Sequence, residues 1–135
     1  MKKIVCILFY SILVFSCADS SDDLADMNGD QNDIEPLQGV FQNGAHPTSG
    51  MASIDIERTT LSFTSDFMTD PGPLLEVYLC DSAANCDDFI TLGELKNTSG
   101  PQEYMLPENI NFNNYQYVHI WCVTFSVSFG YAKID

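Results

Sequence analysis

The sequence predicts an all-β protein whose folded part is a single small antiparallel domain, either a β-sandwich or a barrel-like fold. Short stretches alternate apolar and polar residues, and Pro, Gly or Asn interrupts them about every ten residues. After the N-terminal apolar run, no segment keeps the 3.6-residue apolar period of a helix. The length of 135 residues suits one domain, and a hydrophobic content of 45% excludes disorder of the whole chain.

Each expected strand is an apolar run bounded by polar or turn-forming residues. Residues 53–57 and 60–63 both alternate apolar and polar side chains, with a short polar connection between them. The turn Asp-Pro-Gly-Pro at 70–73 precedes the apolar run 74–79. The remaining expected strands are 40–41, 89–92, 103–106 and the aromatic, β-branched segment 115–134.

The last segment changes its apolar period at Cys122. Val118 and Ile120 occupy even positions before it, whereas the apolar residues after it occupy odd positions. A strand with one buried face keeps a strict period of two, so the register shifts at this point. The sequence predicts either a β-bulge near residues 121–123 or a strand that is buried on both faces.

The N-terminus has the pattern of a secretory signal. Lys2 and Lys3 precede an apolar run at 4–15, which is shorter than the roughly 20 residues of a membrane-spanning helix. The run ends Leu-Val-Phe-Ser-Cys, which resembles the lipobox of bacterial lipoproteins. Residues 1–16 are therefore predicted to be a signal peptide and Cys17 the lipidated first residue of the mature chain. The alternative is an ordinary signal with a chance cysteine.

Residues 17–36 are predicted to be an acidic, flexible tether between the lipid and a folded domain at 37–135. Asp19, Asp22 and Asp23 resemble the acidic export signal of lipoproteins on bacterial cell surfaces; the alternative is a plain spacer. We therefore expect an outer-membrane lipoprotein held to the membrane by its lipid and exposed at the cell surface, with the periplasmic face as the alternative.

The charge of the chain excludes one class of function. Nineteen acidic residues against five basic ones give a formal net charge of −14. Such a chain is repelled by phosphate backbones, so we expect no nucleic-acid partner.

Cysteine spacing predicts one disulfide and one unpaired thiol in the folded domain. Five residues separate Cys80 from Cys86, a loop that can close in an oxidising compartment. That pairing leaves Cys122 unpaired. No second close pair of cysteine or histidine residues supplies the usual pattern of structural zinc, so no metal site is predicted.

The folded part resembles the DM-thirteen domain family over about residues 37–134. The resemblance is carried by Leu-Gln-Gly-Val-Phe at 37–41, His-Pro-Thr-Ser-Gly at 46–50, Gly-Pro-Leu-Leu-Glu-Val-Tyr-Leu at 72–79 and Val-His-Ile-Trp-Cys at 118–122. The family is an extracellular β-rich domain, proposed to take part in electron transfer and found beside DOMON domains in animals. Its characteristic cysteine falls on Cys122, and its histidine motif falls on His46, Thr48, Ser49 and Gly50.

The resemblance implies either a bare redox thiol at Cys122 or a ligand to a group such as haem. The chain has no Cys-x-x-Cys-His motif, so a haem would be bound non-covalently, with His46 as the second ligand. Alternatively, His46 only hydrogen-bonds its own turn.

Two functions follow from these observations. In the first, the lipoprotein is an electron-transfer accessory domain, rather than an enzyme with its own substrate, and Cys122 exchanges electrons with a redox protein of the envelope or cell surface. In the second, it is a non-catalytic binding or adhesion module in which Cys122 is only structural.

Overall fold

The computed structural model describes residues 34–135. The predicted signal peptide, the lipidated Cys17 and most of the tether lie outside these residues. Within the described part, no helix has the length and apolar character needed to cross a membrane.

Ten strands and no helix make up the described residues, which confirms the all-β prediction. The strands are β1 (Leu37–Asn43), β2 (Thr48–Ser49), β3 (Met51–Ile54), β4 (Thr60–Phe63), β5 (Met68–Thr69), β6 (Leu75–Cys80), β7 (Phe89–Glu94), β8 (Gln102–Met105), β9 (Tyr117–Cys122) and β10 (Val127–Lys133).

Eight of these strands form one antiparallel sheet in the order β7-β6-β9-β10-β1-β3-β4-β8. The sheet curls into a nearly closed barrel, which is the barrel-like form of the predicted domain. Strands β2 and β5 form a separate two-stranded ladder, in which Thr48 pairs with Thr69. The hydroxyls of these two buried threonines lie 3.2 Å apart and hydrogen-bond each other.

The C-terminal segment is a hairpin, so the predicted bulge near residues 121–123 is wrong. Strand β9 ends at Cys122, the turn spans residues 123–126, and Val127 pairs back with Cys122. The chain reversal changes the apolar period there. A bulge does exist, but it lies on β10 between Ser128 and Gly130. The alternative prediction was partly correct, because β9 is buried on both faces at residues 118–120.

The two faces of the β6–β9 pair bury different clusters. The barrel interior holds the main core, which includes Val77, Val118, Ile120 and Cys122. The outer face carries a smaller buried cluster of Tyr78, Cys80 and Cys86, with Tyr117 and Trp121 packed against it. Side chains alternate between the faces of a strand, so these neighbours in sequence belong to two separate environments.

At the gap in the barrel, side chains of one edge strand bond the segment that connects the two edges. Strands β7 and β8 are the two edges of the sheet, and the segment 95–101 joins them. Tyr104 Oη on β8 accepts a hydrogen bond of 3.0 Å from the backbone amide of Lys96. The side-chain amide of Gln102 bonds both backbone groups of Asn97, at 3.1 Å and 2.8 Å. These bonds satisfy polar groups that a closed ladder would have paired.

Candidate functional site

Cys122 lies at the end of β9 with its side chain in the barrel interior. It is 0% exposed and belongs to the main core. Leu75 on β6 is its direct cross-strand partner, so the two side chains are neighbours on the same face. Within residues 34–135, Cys122 forms no disulfide. The structure therefore places a thiol in an apolar site, out of contact with water.

A surface cavity reaches the neighbour of this thiol. It has a volume of about 220 Å³ and lies between the turn before β6 and the end of β7. Leu75 forms part of its wall, and Leu74, another lining residue, accepts a hydrogen bond from the amide of Val123. Leu75 therefore both lines this cavity and is a direct neighbour of Cys122.

His46 lies in the connection between β1 and β2 and contacts groups other than Cys122. Its Nδ1 is 3.0 Å from a carboxylate oxygen of Asp70, and both side chains are substantially exposed. Its ring stacks on Phe129, with the ring centroids 3.9 Å apart. The Phe129 carbonyl accepts hydrogen bonds from the amides of His46 and Gly44. Phe129, at the bulge in β10, therefore holds this turn in place through its backbone carbonyl and its ring.

Two other residues of the histidine motif have roles in packing. The backbone amide of Thr48 donates to the side-chain oxygen of Asn43 at 3.0 Å, which closes the turn around His46. Gly50 has a φ of +93°, and a Cβ there would lie only 2.5 Å from the Cα of Phe67. Glycine is required at this position because it tolerates both this backbone conformation and the close approach.

Cys80 and Cys86 form the predicted disulfide, with their Cα atoms 5.2 Å apart. It lies on the outer face of the sheet, on the opposite side of β6 and β9 from Cys122. The aromatic rings of Tyr78 and Trp121 pack beside it. The structure therefore contains two separate sulfur sites.

His119, which entered the sequence analysis only as part of the motif at 118–122, is a further functional candidate. The structure places it on the outer face, where it is 0% exposed and its pKa is lowered because burial disfavours the charged imidazole. Its Nε2 donates to the Ser82 carbonyl at 2.8 Å, and its Nδ1 lies 2.8 Å from the Ser128 hydroxyl. His119 and the disulfide become neighbours through the antiparallel pairing of β6 with β9.

Comparison with known families decides the identity of the domain. The family model described as electron transfer DM13 matches residues 40–134. The chain belongs to the electron transfer DM13 family. This confirms the resemblance on which the sequence-based interpretation rested. No curated protein and no solved structure matched the chain.

In this DM13 domain the residues present do not fit a haem held between Cys122 and His46. The imidazole is covered on one side by the Phe129 ring, which belongs to the same core cluster as Cys122. Its Nδ1 is taken by Asp70. Cys122 does not line the cavities of about 220, 370 and 120 Å³. We therefore treat Cys122 as a thiol rather than as a haem ligand, and we assign no step to haem.

Proposed function

We propose that this DM13 protein is a membrane-anchored, extracytoplasmic lipoprotein whose Cys122 exchanges electrons with a redox protein of the envelope or cell surface. The observation that carries the proposal is the match to an electron-transfer family over residues 40–134. The resemblance described above aligns the characteristic cysteine of that family with Cys122. Within the described residues, it is the cysteine outside the disulfide.

The position of Cys122 determines what its redox chemistry requires. Two-electron oxidation of one thiol needs a second sulfur or an oxygen atom to bond with it. The disulfide of the domain lies on the other face of the sheet, so it is not that partner. Cys122 therefore acts with a disulfide of another protein: its thiolate attacks one sulfur, a mixed disulfide forms, and the other sulfur leaves as a thiol after protonation.

The partner approaches from the end of the barrel at which Cys122 lies. The hairpin turn after Cys122 carries Phe125, whose side chain is 69% exposed. The cavity beside Leu75 opens near the same strand ends. Exposed aromatic residues are contacts of the kind that protein interfaces bury. Displacement of Leu75 on docking would expose the thiol.

The anchor is proposed on the N-terminal pattern described above. Acylation at Cys17 holds the chain to the outer membrane, and the acidic tether gives the domain room to meet its partner. A lipidated protein partitions into detergent and incorporates labelled fatty acid. In the Cys17→Ser variant we expect both properties to be lost. Protease digestion of intact cells separately tests whether the domain faces the medium. Unchanged fatty-acid labelling in the variant would contradict the anchor.

Thiol mapping of the full chain tests the redox proposal. Cys122 is alkylated before and after equilibration with a series of glutathione buffers, and peptide masses report its state. We expect Cys122 to pass reversibly between a free thiol and a mixed disulfide in the native protein, with a defined midpoint potential. The Cys122→Ala variant, which removes the sulfur and adds no polar group, should abolish this transition and retain the fold.

The competing function is a binding or adhesion module in which Cys122 only fills the core. Its complete burial is the observation in favour of that function. Here Cys122 would react only above the denaturant concentration at which the whole domain unfolds. That result would contradict the redox proposal and support the binding module.

A further inference from the structure

The outer face of the sheet holds a second chemical centre. One sulfur atom from each of Cys80 and Cys86 and one ring nitrogen of His119 all lie within 4.8 Å of one another. Cys80 and His119 are 0% exposed, and Cys86 is nearly as buried. Two sulfurs and an imidazole converge here from strand β6, strand β9 and the loop after β6. This is a ligand set typical of thiophilic metal ions.

The imidazole of His119 has two neutral tautomers, and its contact with the Ser82 carbonyl selects the one protonated on Nε2. In one, Nε2 donates to the carbonyl of Ser82, and Nδ1 accepts from the hydroxyl of Ser128. In the other, Nδ1 donates to that hydroxyl, which in turn donates to the Gly130 carbonyl at 3.1 Å. The second tautomer leaves a lone pair on Nε2, and it requires the Ser82 carbonyl to move away from its present position 2.8 Å from that nitrogen. Metal-bound histidines are commonly held by such a bond from the other ring nitrogen.

The freed Nε2 faces the loop that the disulfide closes. Ser82, its present hydrogen-bond partner, lies between Cys80 and Cys86. Opening the disulfide releases this loop, so the bond between Ser82 and His119 can break at the same time as the two thiols form. Asp81 and Asp88, at the two ends of the whole connection between β6 and β7, add negative charge that attracts a cation.

We propose that Cys80, Cys86 and His119 form a redox-gated zinc site. In the oxidised protein the disulfide blocks it. A dithiol reductant supplies two electrons and two protons, so that the bond between the sulfurs becomes two thiols and the reductant becomes a disulfide. Zn²⁺ then binds both sulfurs and Nε2 of His119, two protons are released to solvent, and water takes the fourth position. The linear spacing did not reveal this site because the third ligand comes from a distant strand.

Comparison of two redox states of the same full-length protein tests the proposal without a variant. One sample is kept oxidised, and the other is reduced with a phosphine that is then removed, because a dithiol would itself chelate zinc. Both are titrated with Zn²⁺ against a chromophoric chelator, and with Co²⁺ for its thiolate charge-transfer absorption. We expect one Zn²⁺ per reduced chain and none per oxidised chain. Equal binding in both states, or none in either, would overturn the proposal, as would a reduced chain that stays unfolded with Zn²⁺.

Variants assign the ligands. The double variant Cys80→Ala/Cys86→Ala should lose the Zn²⁺, and retained binding there would also overturn the site. The Ser128→Ala variant should keep both thiols and the charge-transfer band but bind Zn²⁺ at least about tenfold more weakly, because Nδ1 loses its hydrogen-bond partner. The Cys122→Ala variant should still bind Zn²⁺ although it lacks the proposed redox thiol. The zinc proposal and the proposed function therefore fail independently.

Discussion

Leu75 is the residue whose truncation most directly tests how Cys122 is reached. Replacing Leu75 by Ala removes a side chain that lines the 220 Å³ cavity and is a direct neighbour of the thiol. If Cys122 reacts through this cavity, its alkylation should accelerate in the folded protein. The matched control is Leu79→Ala on the same strand and the same interior face, where Leu79 pairs with Val118, away from the cavity.

Leu79→Ala should lose more stability than Leu75→Ala, although Cys122 should be alkylated faster in Leu75→Ala if the reagent enters through the cavity. Truncation of a buried Leu to Ala costs about 2–5 kcal/mol, and the cost grows with the volume of the closed cavity that remains. Leu75 already borders an open cavity, so its truncation should cost about 2–3 kcal/mol. Leu79 is fully buried and should cost about 3–5 kcal/mol. Alkylation through global unfolding would therefore be faster in Leu79→Ala, by about tenfold for each 1.4 kcal/mol of difference in stability.

The assay measures alkylation of Cys122 by a small neutral maleimide at several urea concentrations below the unfolding transition. Access through the cavity predicts a faster reaction in Leu75→Ala than in Leu79→Ala, at a rate almost independent of urea. Access through global unfolding predicts the reverse order and rates that rise with urea by the equilibrium m-value. The reverse order would refute both the route through the cavity and the docking mechanism that depends on it.

Three further changes test the scaffold around these sites. Asp55 accepts hydrogen bonds in the β3–β4 turn, first from a threonine side chain, and its pKa is therefore lowered below 3.8. The stability that the ionised Asp55 carboxylate contributes is fully present above pH 3.8 and is lost as the pH falls through its lowered pKa. An Asp55→Asn variant should therefore be less stable than the wild type at pH 7 by thermal melting, and the difference should shrink in acid. Gly50→Ala should lower the free energy of unfolding in urea by at least about 1 kcal/mol more than Gly100→Ala. Both glycines have a positive φ, but a Cβ would collide with Phe67 only at Gly50. His46→Ala should lower the free energy of unfolding by only about 1–2 kcal/mol in the same assay, because its hydrogen bond to Asp70 is exposed and it makes a single stacking contact.

Much of the fold could be predicted because its strands alternate clearly between apolar and polar residues. The predicted strand 60–63 matches β4 in full, and the turn at 70–73 correctly placed the start of β6 to within a residue. The β9–β10 hairpin was missed because its turn, Val-Thr-Phe-Ser, contains no glycine, proline or asparagine. Ser126 adopts a φ of +51° there, which sequence rules reserve mainly for glycine. When such a turn joins two strands, the amino-acid composition of the turn does not reveal the hairpin or its register.

The two sulfur sites were predictable to different degrees. The disulfide joins residues close in sequence, so spacing alone indicated it. The position of His119 beside it depends on which strand pairs with β6 and in which register, information that is distributed over the whole barrel. The alternation of side chains along β9 did place His119 and Cys122 on opposite faces, because residues three apart on a strand face opposite sides. This alternation argues against a catalytic pair of the two residues, but the sequence could not name the true neighbour of His119.

The gap between β7 and β8 has a consequence for how the domain opens. Seven antiparallel pairings hold the eight strands in line, whereas the β8 edge is held to the segment 95–101 by the side chains of Gln102 and Tyr104. Side-chain bonds at a half-buried seam break at a lower free energy than a buried ladder, so partial unfolding starts there. Amide protons on β8 should exchange with solvent before those of β9 and β10, which lie in the middle of the sheet. Of the two edges, β7 pairs directly with β6, the strand of Cys80, whereas β8 lies at the other end of the sheet. Opening that starts by release of β8 therefore leaves the strands of both sulfur sites paired.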